Sequence, residues 1–387
     1  MTLVSMRHTL AALRALVVLP YPPLPEGGAA ARCALALLRG LSERGVESRV
    51  LAAEEGSMQE DAVPLDLDVE FVTVGQPSAW EGRLDRLMRP AGRLARGKFA
   101  SRVRELSAQA DVVHFVELQA AAALAHARAP ALAQLHFHTR RDRRVGAPWR
   151  QEGRDTIELL RAERRICRHA RWLLANSAEV AAELASHAPS AQISMAPLAL
   201  DGRYYTPRAT LESATAGLIG TASWPPTAKA VERLLLEVWP LVLERRPQAR
   251  LLLAGAGMER SRFPHLPDRP GVEWYGRVPS AAEFLRELGL LVYPLTAGSG
   301  VKVKVLEALA LGVPVVTTPD GAEGLGGRGG VIVESEDARI AEAVVALLDK
   351  PDTRREAGDA AYRTFVDHHS PSVAAAPVVE LYERMLA

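Results

Sequence analysis

Residues 290–319 read LLVYPLTAGSGVKVKVLEALALGVPVVTTP, and this stretch decides the fold. An apolar run at 288–295 ends in the glycine-bearing turn Gly298-Ser299-Gly300. A helix is predicted from 302 to 311, and the apolar run VPVVTTP follows at 313–319. Strand, helix and strand in this order point to parallel strands covered by helices, and apolar runs without alternation fit strands buried on both faces.

The same pattern extends in both directions. Further strand-like runs in the second half lie at 217–223, 249–255, 272–278 and 329–335, with helical patterns at 227–246, 280–288 and 336–349. In the first half the runs lie at 14–20, 47–53, 68–74, 111–117, 131–139, 171–177 and 191–197. Helical patterns at 28–44, 81–109, 118–128, 154–170 and 178–187 separate several of them. The polar, turn-rich stretch 201–217 reads as a linker. The expectation is an α/β chain of two doubly wound, Rossmann-like domains facing across a cleft. A first domain is expected over 1–205 and a second over 206–368. A C-terminal helix, 369–387, follows a break at Ser370-Pro371 and can pack back on the first domain. Ligands of such sheets bind beyond the carboxyl ends of the strands, which places the site between the domains.

Composition narrows the function classes. The 387 residues suit two domains at roughly 100–200 residues each. A formal net charge of +1 gives no signature of nucleic-acid binding. Cys33 and Cys167 are the only cysteines, too few for a disulfide framework or a structural zinc site, and they suit a reducing compartment, the cytoplasm. No apolar run reaches the ~18–20 residues of a membrane span. The N-terminal apolar stretch, interrupted by Arg14 and without a small-residue cleavage site, reads as a strand rather than a signal peptide.

Three loops are candidates for holding phosphate. Gly255-x-Gly257 lacks the third glycine, since Arg260 stands there, and reads as a tight turn. Gly27 and Gly28 lie between the first strand and the first helix, where backbone N–H groups can meet an anion or can simply form a turn. The third loop is Gly298, Ser299 and Gly300, running into a helix that begins near Val301 or Lys302. Only five of the 47 basic residues are lysine, and two of them, Lys302 and Lys304, fall at this helix start. Cations there oppose the macrodipole unless an anion compensates. Glu307 lies about one turn deeper, and a carboxylate can accept both hydroxyls of a ribose. The set fits a nucleoside diphosphate. The plain alternative is a solvated helix start with an i,i+3 Lys304–Glu307 pair.

Glu307-Ala308-Leu309-Ala310-Leu311-Gly312-Val313-Pro314-Val315-Val316 resembles the donor-site signature of glycosyltransferase family 4, retaining sugar transferases of the GT-B fold. Gly276-Arg277-Val278, Tyr293-Pro294-Leu295 and 318–325 agree with its flanks, and the specific match covers about 217–335. The resemblance implies a nucleotide diphosphate sugar as co-substrate, with no other cofactor. It implies that Glu307 holds the ribose and that Gly298, Gly300, Lys302 and Lys304 surround the diphosphate. Glu323, with Gly321 and Leu325, matches a loop near the nucleotide, and Gly27-Gly28 matches the glycine loop facing donor and acceptor. A histidine at a strand end faces the sugar in many members. His136 and His138 are the two candidates, expected on one face of a strand because they are two residues apart.

Two departures stand out. The family often carries a second glutamate eight residues before Glu307, and that position is Ser299. Its basic pair after the first strand of the second domain is reduced to Lys229, so Lys302 is left to supply the missing charge. No metal-ligand cluster is evident, and lysines and helix dipoles are expected to stabilise the leaving diphosphate without a metal. A sugar-nucleotide epimerase on the same fold and a non-catalytic partner protein are the competing functions. Residues 81–105 carry eight Arg or Lys against three Asp or Glu, with Leu84, Leu87, Met88, Leu94, Phe99 and Val103 interleaved. That pattern suits either a core-facing helix pair or peripheral docking on an anionic membrane.

Overall fold

The computed structural model describes residues 12–54, 64, 66–75, 92–142, 151–207 and 213–387. The first sheet has seven strands: β1 (Arg14–Leu19), β2 (Glu47–Glu54), β3 (Asp68–Thr73), β4 (Val112–Val116), β5 (Ala131–Leu135), β6 (Trp172–Ala175) and β7 (Gln192–Met195). All its pairings are parallel, in the order β3-β2-β1-β4-β5-β6-β7. The second has β8 (Thr215–Ile219), β9 (Arg250–Ala254), β10 (Val272–Gly276), β11 (Leu290–Tyr293), β12 (Val315–Thr317) and β13 (Val331–Val333), in the order β10-β9-β8-β11-β12-β13, again parallel. Strand order reverses between β1 and β4 and between β8 and β11, so each sheet has a switch point at its middle. Each of the thirteen apolar runs read from the sequence contains or overlaps one of these strands.

Covering helices follow from the strand pattern. In β1, Ala15, Val17 and Leu19 pack into one core and Leu16 and Val18 into another, because successive side chains leave opposite faces. The helices are α1 (Ala29–Glu43), α2 (Gly97–Ser107), α3 (Glu117–Ala121), α4 (Thr139–Asp142), α5 (Gln151–His169) and α6 (Ala178–His187) in the first domain. In the second they are α7 (Pro225–Arg233), α8 (Trp239–Arg245), α9 (Ala281–Glu287), α10 (Val303–Ala310), α11 (Asp337–Asp349) and α12 (Pro351–His369). The chain then breaks at Ser370 and ends in α13 (Pro371–Leu386). Ala375, Val378, Leu381 and Tyr382 of α13 share a core with Ala34, Leu38 and Leu41 of α1. The Tyr382 hydroxyl lies 2.8 Å from His114 Nδ1 on β4.

Several local expectations are corrected. The helix over 227–246 is interrupted by a π-helical stretch, Leu234–Val238. Pro240 has no N–H to continue the ladder, and a local change of hydrogen-bond register accommodates it. The helix over 118–128 is α3 plus a 3₁₀ turn, Leu124–His126. The strand over 131–139 ends at Leu135, which matters for the site. The expectations for 81–91, with Leu84, Leu87 and Met88, lie outside the described residues. From 92 on, Leu94, Phe99 and Val103 are buried in the first domain's core, so this part of the basic stretch offers them to no membrane. No helix among the described residues is long and apolar enough to cross a membrane.

Candidate active site

The carboxyl ends of the two sheets meet. From the first domain come the loop after β1, the start of α1, Glu117 after β4, residues 136–142 after β5, and Asn176 and Ser177 after β6. From the second come the glycine loop after β11, α10 and the loop after β12. Three contacts join them.

The first centres on Glu307, in α10 and 1% exposed. Arg32 Nη2, in the first turn of α1, lies 2.7 Å from its Oε1, and Lys304 Nζ lies 2.9 Å from its Oε2. Tyr205 donates its hydroxyl to Oε1 at 3.0 Å. Burial pushes the Arg32 guanidinium down, but Glu307 and Tyr205 outweigh it and hold it above its ordinary value. The Tyr205 phenol is pushed far up by burial and by the Glu307 charge. Lys304 therefore makes the i,i+3 pair of the plain alternative, although the carboxylate it meets is buried between the domains.

The second centres on Glu323, 2% exposed. Its Oε1 accepts from Gly300 N at 2.8 Å and from Ser177 Oγ at 2.8 Å. Arg141 Nη2 lies 3.3 Å from its Oε2, and Lys302 Nζ lies 3.9 Å from the same oxygen. Lys302 also donates to the Gly300 carbonyl at 2.5 Å. Burial lowers the Lys302 ammonium, and Glu323, Asp142 and Asp320 oppose it.

The third is at Ser299. Its N and Oγ donate to Asp142 Oδ1 at 2.6 and 2.7 Å, and His138 N donates to its Oγ at 2.8 Å. Burial raises the Asp142 carboxyl, and the two Ser299 hydrogen bonds work against it. Beside it, Gly300 has φ +71°, and a Cβ there would lie 2.0 Å from the His136 carbonyl oxygen. Only glycine permits so close an approach of the two backbones.

The two histidines part company. His136 Nδ1 lies 2.7 Å from Glu117 Oε1, and its buried Nε2 has no hydrogen-bond partner among the described residues. Glu117 holds φ +73°, a left-handed conformation forced by the abrupt turn from β4 into α3. Tyr21 Oη, near Glu117, is likewise buried and unpartnered among the described residues. His138 turns away. It is 1% exposed, with Nε2 3.1 Å from Glu163 Oε1 on α5, and its ring lies 5.4 Å from that of His187 on α6. The expectation that both share a face fails because β5 ends at Leu135, so strand alternation does not reach 136–138. The His138 ring instead faces two side chains of α6. His138, Glu183 and His187 each offer one ligand atom, all within 4.8 Å of one another.

The remaining candidates fall around these contacts. Gly28 caps α1 with open space where a Cβ would lie, whereas Gly27 packs against Ala31 and Leu24. Gly298 packs against Trp224 and Lys302, and Gly321 against Thr317. Val301 and Leu325 are buried in the second domain's core. Lys229 is exposed on α7 and makes none of the three contacts. Gly255 lies against the Gly220 carbonyl, as a tight turn requires. Sequence reasoning missed Tyr21, Arg32, Glu117, Asp142, Asn176 and Tyr205. Two carried a usable signal: Arg32 stands one turn after the Gly28 loop, and Asp142 four residues after His138.

The model of Glycosyltransferase Family 4 matches residues 27–201, and that of Glycosyl transferases group 1 matches residues 213–350. The GDP-mannose-dependent monoacylated alpha-(1-6)-phosphatidylinositol monomannoside mannosyltransferase of Corynebacterium glutamicum is 31% identical over 194 residues, 44% of this chain and 50% of that protein. The chain thus spans about half the length of the curated relative it matches. Sucrose-phosphate synthase from Thermosynechococcus elongatus is similar in structure with a TM-score of 0.70 at 16% identity, covering 96% of this chain and 99% of that one. HepE of Anabaena, in complex with UDP and glucose, has a TM-score of 0.64 at 17% identity, covering 95% and 99%. At these identities the likeness shows the fold, two Rossmann-like domains in the GT-B arrangement. The paired family matches on either side of residues 202–212, the two doubly wound sheets and the Glu307 motif agree: the chain belongs to glycosyltransferase family 4.

Proposed function

We propose that the chain transfers a sugar from a nucleotide diphosphate sugar to an acceptor, at the meeting of the two sheets. The observation that carries this reading is the pairing of two buried carboxylates, Glu307 and Glu323, with Arg32, Lys304, Lys302 and Arg141 around the Gly298–Gly300 loop. Each carboxylate holds cations that a diphosphate would attract more strongly. When a donor enters, its ribose hydroxyls donate to Glu307, and Arg32 and Lys304 turn to the phosphates. Lys302 stabilises the charge that grows on the leaving diphosphate, while the Ser299 and Gly300 N–H groups stay on Asp142 and Glu323 and hold the loop in place. His136, oriented by Glu117, presents Nε2 to the sugar.

In this proposal no side chain forms a bond to the sugar. The acceptor attacks the face that the diphosphate leaves, and the departing phosphate takes the acceptor's proton, so configuration is retained. The cations do the work without a metal. The acceptor classes to test are polysaccharide intermediates, lipids and small metabolites. The name of the Corynebacterium relative puts GDP-mannose and a glycolipid on the panel, and the HepE complex adds UDP-glucose.

The test is incubation with labelled nucleotide-sugars with and without acceptors. The expected result is nucleotide diphosphate released with the sugar on acceptor or water. An isomerised donor, or no turnover across the panel, overturns the reading.

A further inference from the structure

We propose that His138, Glu183 and His187 form a binding site for a divalent transition metal ion, with Zn²⁺ as the probe. The site shares only the His138 backbone with the contacts between the domains and does not depend on the transfer reading.

Glu183 and His187 are four residues apart on α6 and share its face. His138 reaches them from the loop after β5. One ligand atom from each of the three lies within 4.8 Å of the others. A tetrahedral ion with ligand distances of about 2.0–2.1 Å needs ligand separations of about 3.4 Å. Glu183 and His187 are half-buried at the end of a helix, and rotation of their side chains closes the difference.

The outer partners suit a metal site as well. His187 Nδ1 lies 2.9 Å from the Glu183 backbone carbonyl and 2.8 Å from Ser186 Oγ. A proton on Nδ1 directed at that carbonyl leaves Nε2 with its lone pair outward, as in ligating histidines. Glu163 stands 3.1 Å from His138 Nε2, the place of the carboxylate in a carboxylate–histidine–metal arrangement. Its other oxygen accepts from Thr139 N at 2.9 Å and Thr139 Oγ1 at 2.8 Å, so the carboxylate is fixed. Two imidazoles and one carboxylate form a borderline nitrogen and oxygen set that favours zinc, copper or nickel over calcium or magnesium.

An ion here would tie the 136–142 loop to α6. That loop carries His136 at one end and Asp142, the partner of Ser299, at the other. Metal occupancy would stiffen the first domain's side of the interface.

The experiment uses the full chain, stripped with chelator, loaded with Zn²⁺ and passed through gel filtration, with metal content and calorimetry as readouts. Wild type is expected to retain one equivalent. His187→Ala and Glu183→Gln are each expected to weaken binding at least tenfold with unchanged circular dichroism. Glu179→Gln, one turn away on the same helix, is expected to bind as wild type. Co²⁺ loading should give visible absorption in wild type and lose it in the two variants. No retained ion in wild type, or equal retention in both variants, overturns the proposal and leaves His138–Glu163 as an ion pair only.

Discussion

Asp142 of the first domain places Oδ1 2.7 Å from the Ser299 hydroxyl of the second and 2.6 Å from its backbone nitrogen. Ser299 occupies the position where the family often has a glutamate near the sugar. A carboxylate is therefore present at that place after all, delivered across the interface. If Asp142 serves the donor sugar, Asp142→Ala should weaken nucleotide-sugar binding by roughly 10- to 100-fold, the worth of one charge-assisted hydrogen bond. Affinity for the nucleotide diphosphate alone should stay within about twofold. Calorimetry on both ligands reads the difference, and equal losses for the two would reduce Asp142 to a latch between domains.

The pairing of Arg32 with Glu307 sets a second expectation. Glu307→Ala removes the proposed ribose acceptor and leaves Arg32 facing buried space. Nucleotide diphosphate affinity should drop roughly 10- to 150-fold. Stability should fall by up to about 3 kcal/mol, the low end for breaking a buried pair, because Lys304 keeps some solvent. Arg32→Met combined with Glu307→Gln should recover most of the stability and none of the affinity. Denaturant melts beside calorimetry check both halves. A single variant that binds as wild type removes Glu307 from the donor site.

The contrast between fold and site shows what a sequence can carry. Strand positions were legible because burial on both faces writes itself locally, as in Val112–Val116, where all five residues are buried. The Glu307 motif was legible because the loop, the lysines and the carboxylate lie within ten residues. What was missed is joined through space. Asp142 and Ser299 are 157 residues apart, and Ser177 and Glu323 are 146 apart. His138 was misjudged because strand alternation was carried three residues past Leu135. The His138, Glu183 and His187 set was invisible because no short spacing joins the first to the other two.

Acid should weaken the fold through two buried histidines. Burial lowers His114 to about 3, although Gln134 beside it favours the protonated ring, and lowers His369 to about 4. His114 faces Tyr382 of α13, and His369 Nδ1 lies 2.8 Å from the Leu198 carbonyl at the crossing between domains. Both folded values lie below the unfolded value of roughly 6.5. The unfolded chain then binds more protons, so stability is full above that value and falls as pH drops toward 4. Each histidine costs up to about 2 kcal/mol between pH 6.5 and 5. Urea melts at pH 7.5 and 5 should show the loss, and His369→Asn should flatten the slope. Identical slopes in variant and wild type would absolve His369.

Two glycines offer a matched test of where protein ends and ligand begins. A Cβ on Gly300 would lie 2.0 Å from the His136 carbonyl and 3.2 Å from the Asn176 side chain, whereas a Cβ on Gly28 would meet nothing within 4 Å. Gly300→Ala adds a left-handed strain of about 1–2 kcal/mol, but the clash with backbone matters more, since a carbonyl cannot rotate away as a flexible side chain can. The domains should separate at that loop. Small-angle scattering should report a larger radius of gyration, and kcat/KM should fall at least tenfold while nucleotide diphosphate still binds at Glu307. Gly28→Ala should leave stability within about 0.5 kcal/mol, as an unstrained surface change does, because its φ is −60° and its surroundings are empty. If the donor or acceptor occupies that empty space, as the glycine loop at the start of α1 suggests, KM should rise in Gly28→Ala without any change in scattering. Wild-type scattering and turnover in Gly300→Ala would mean that the two loops are not pressed together in solution.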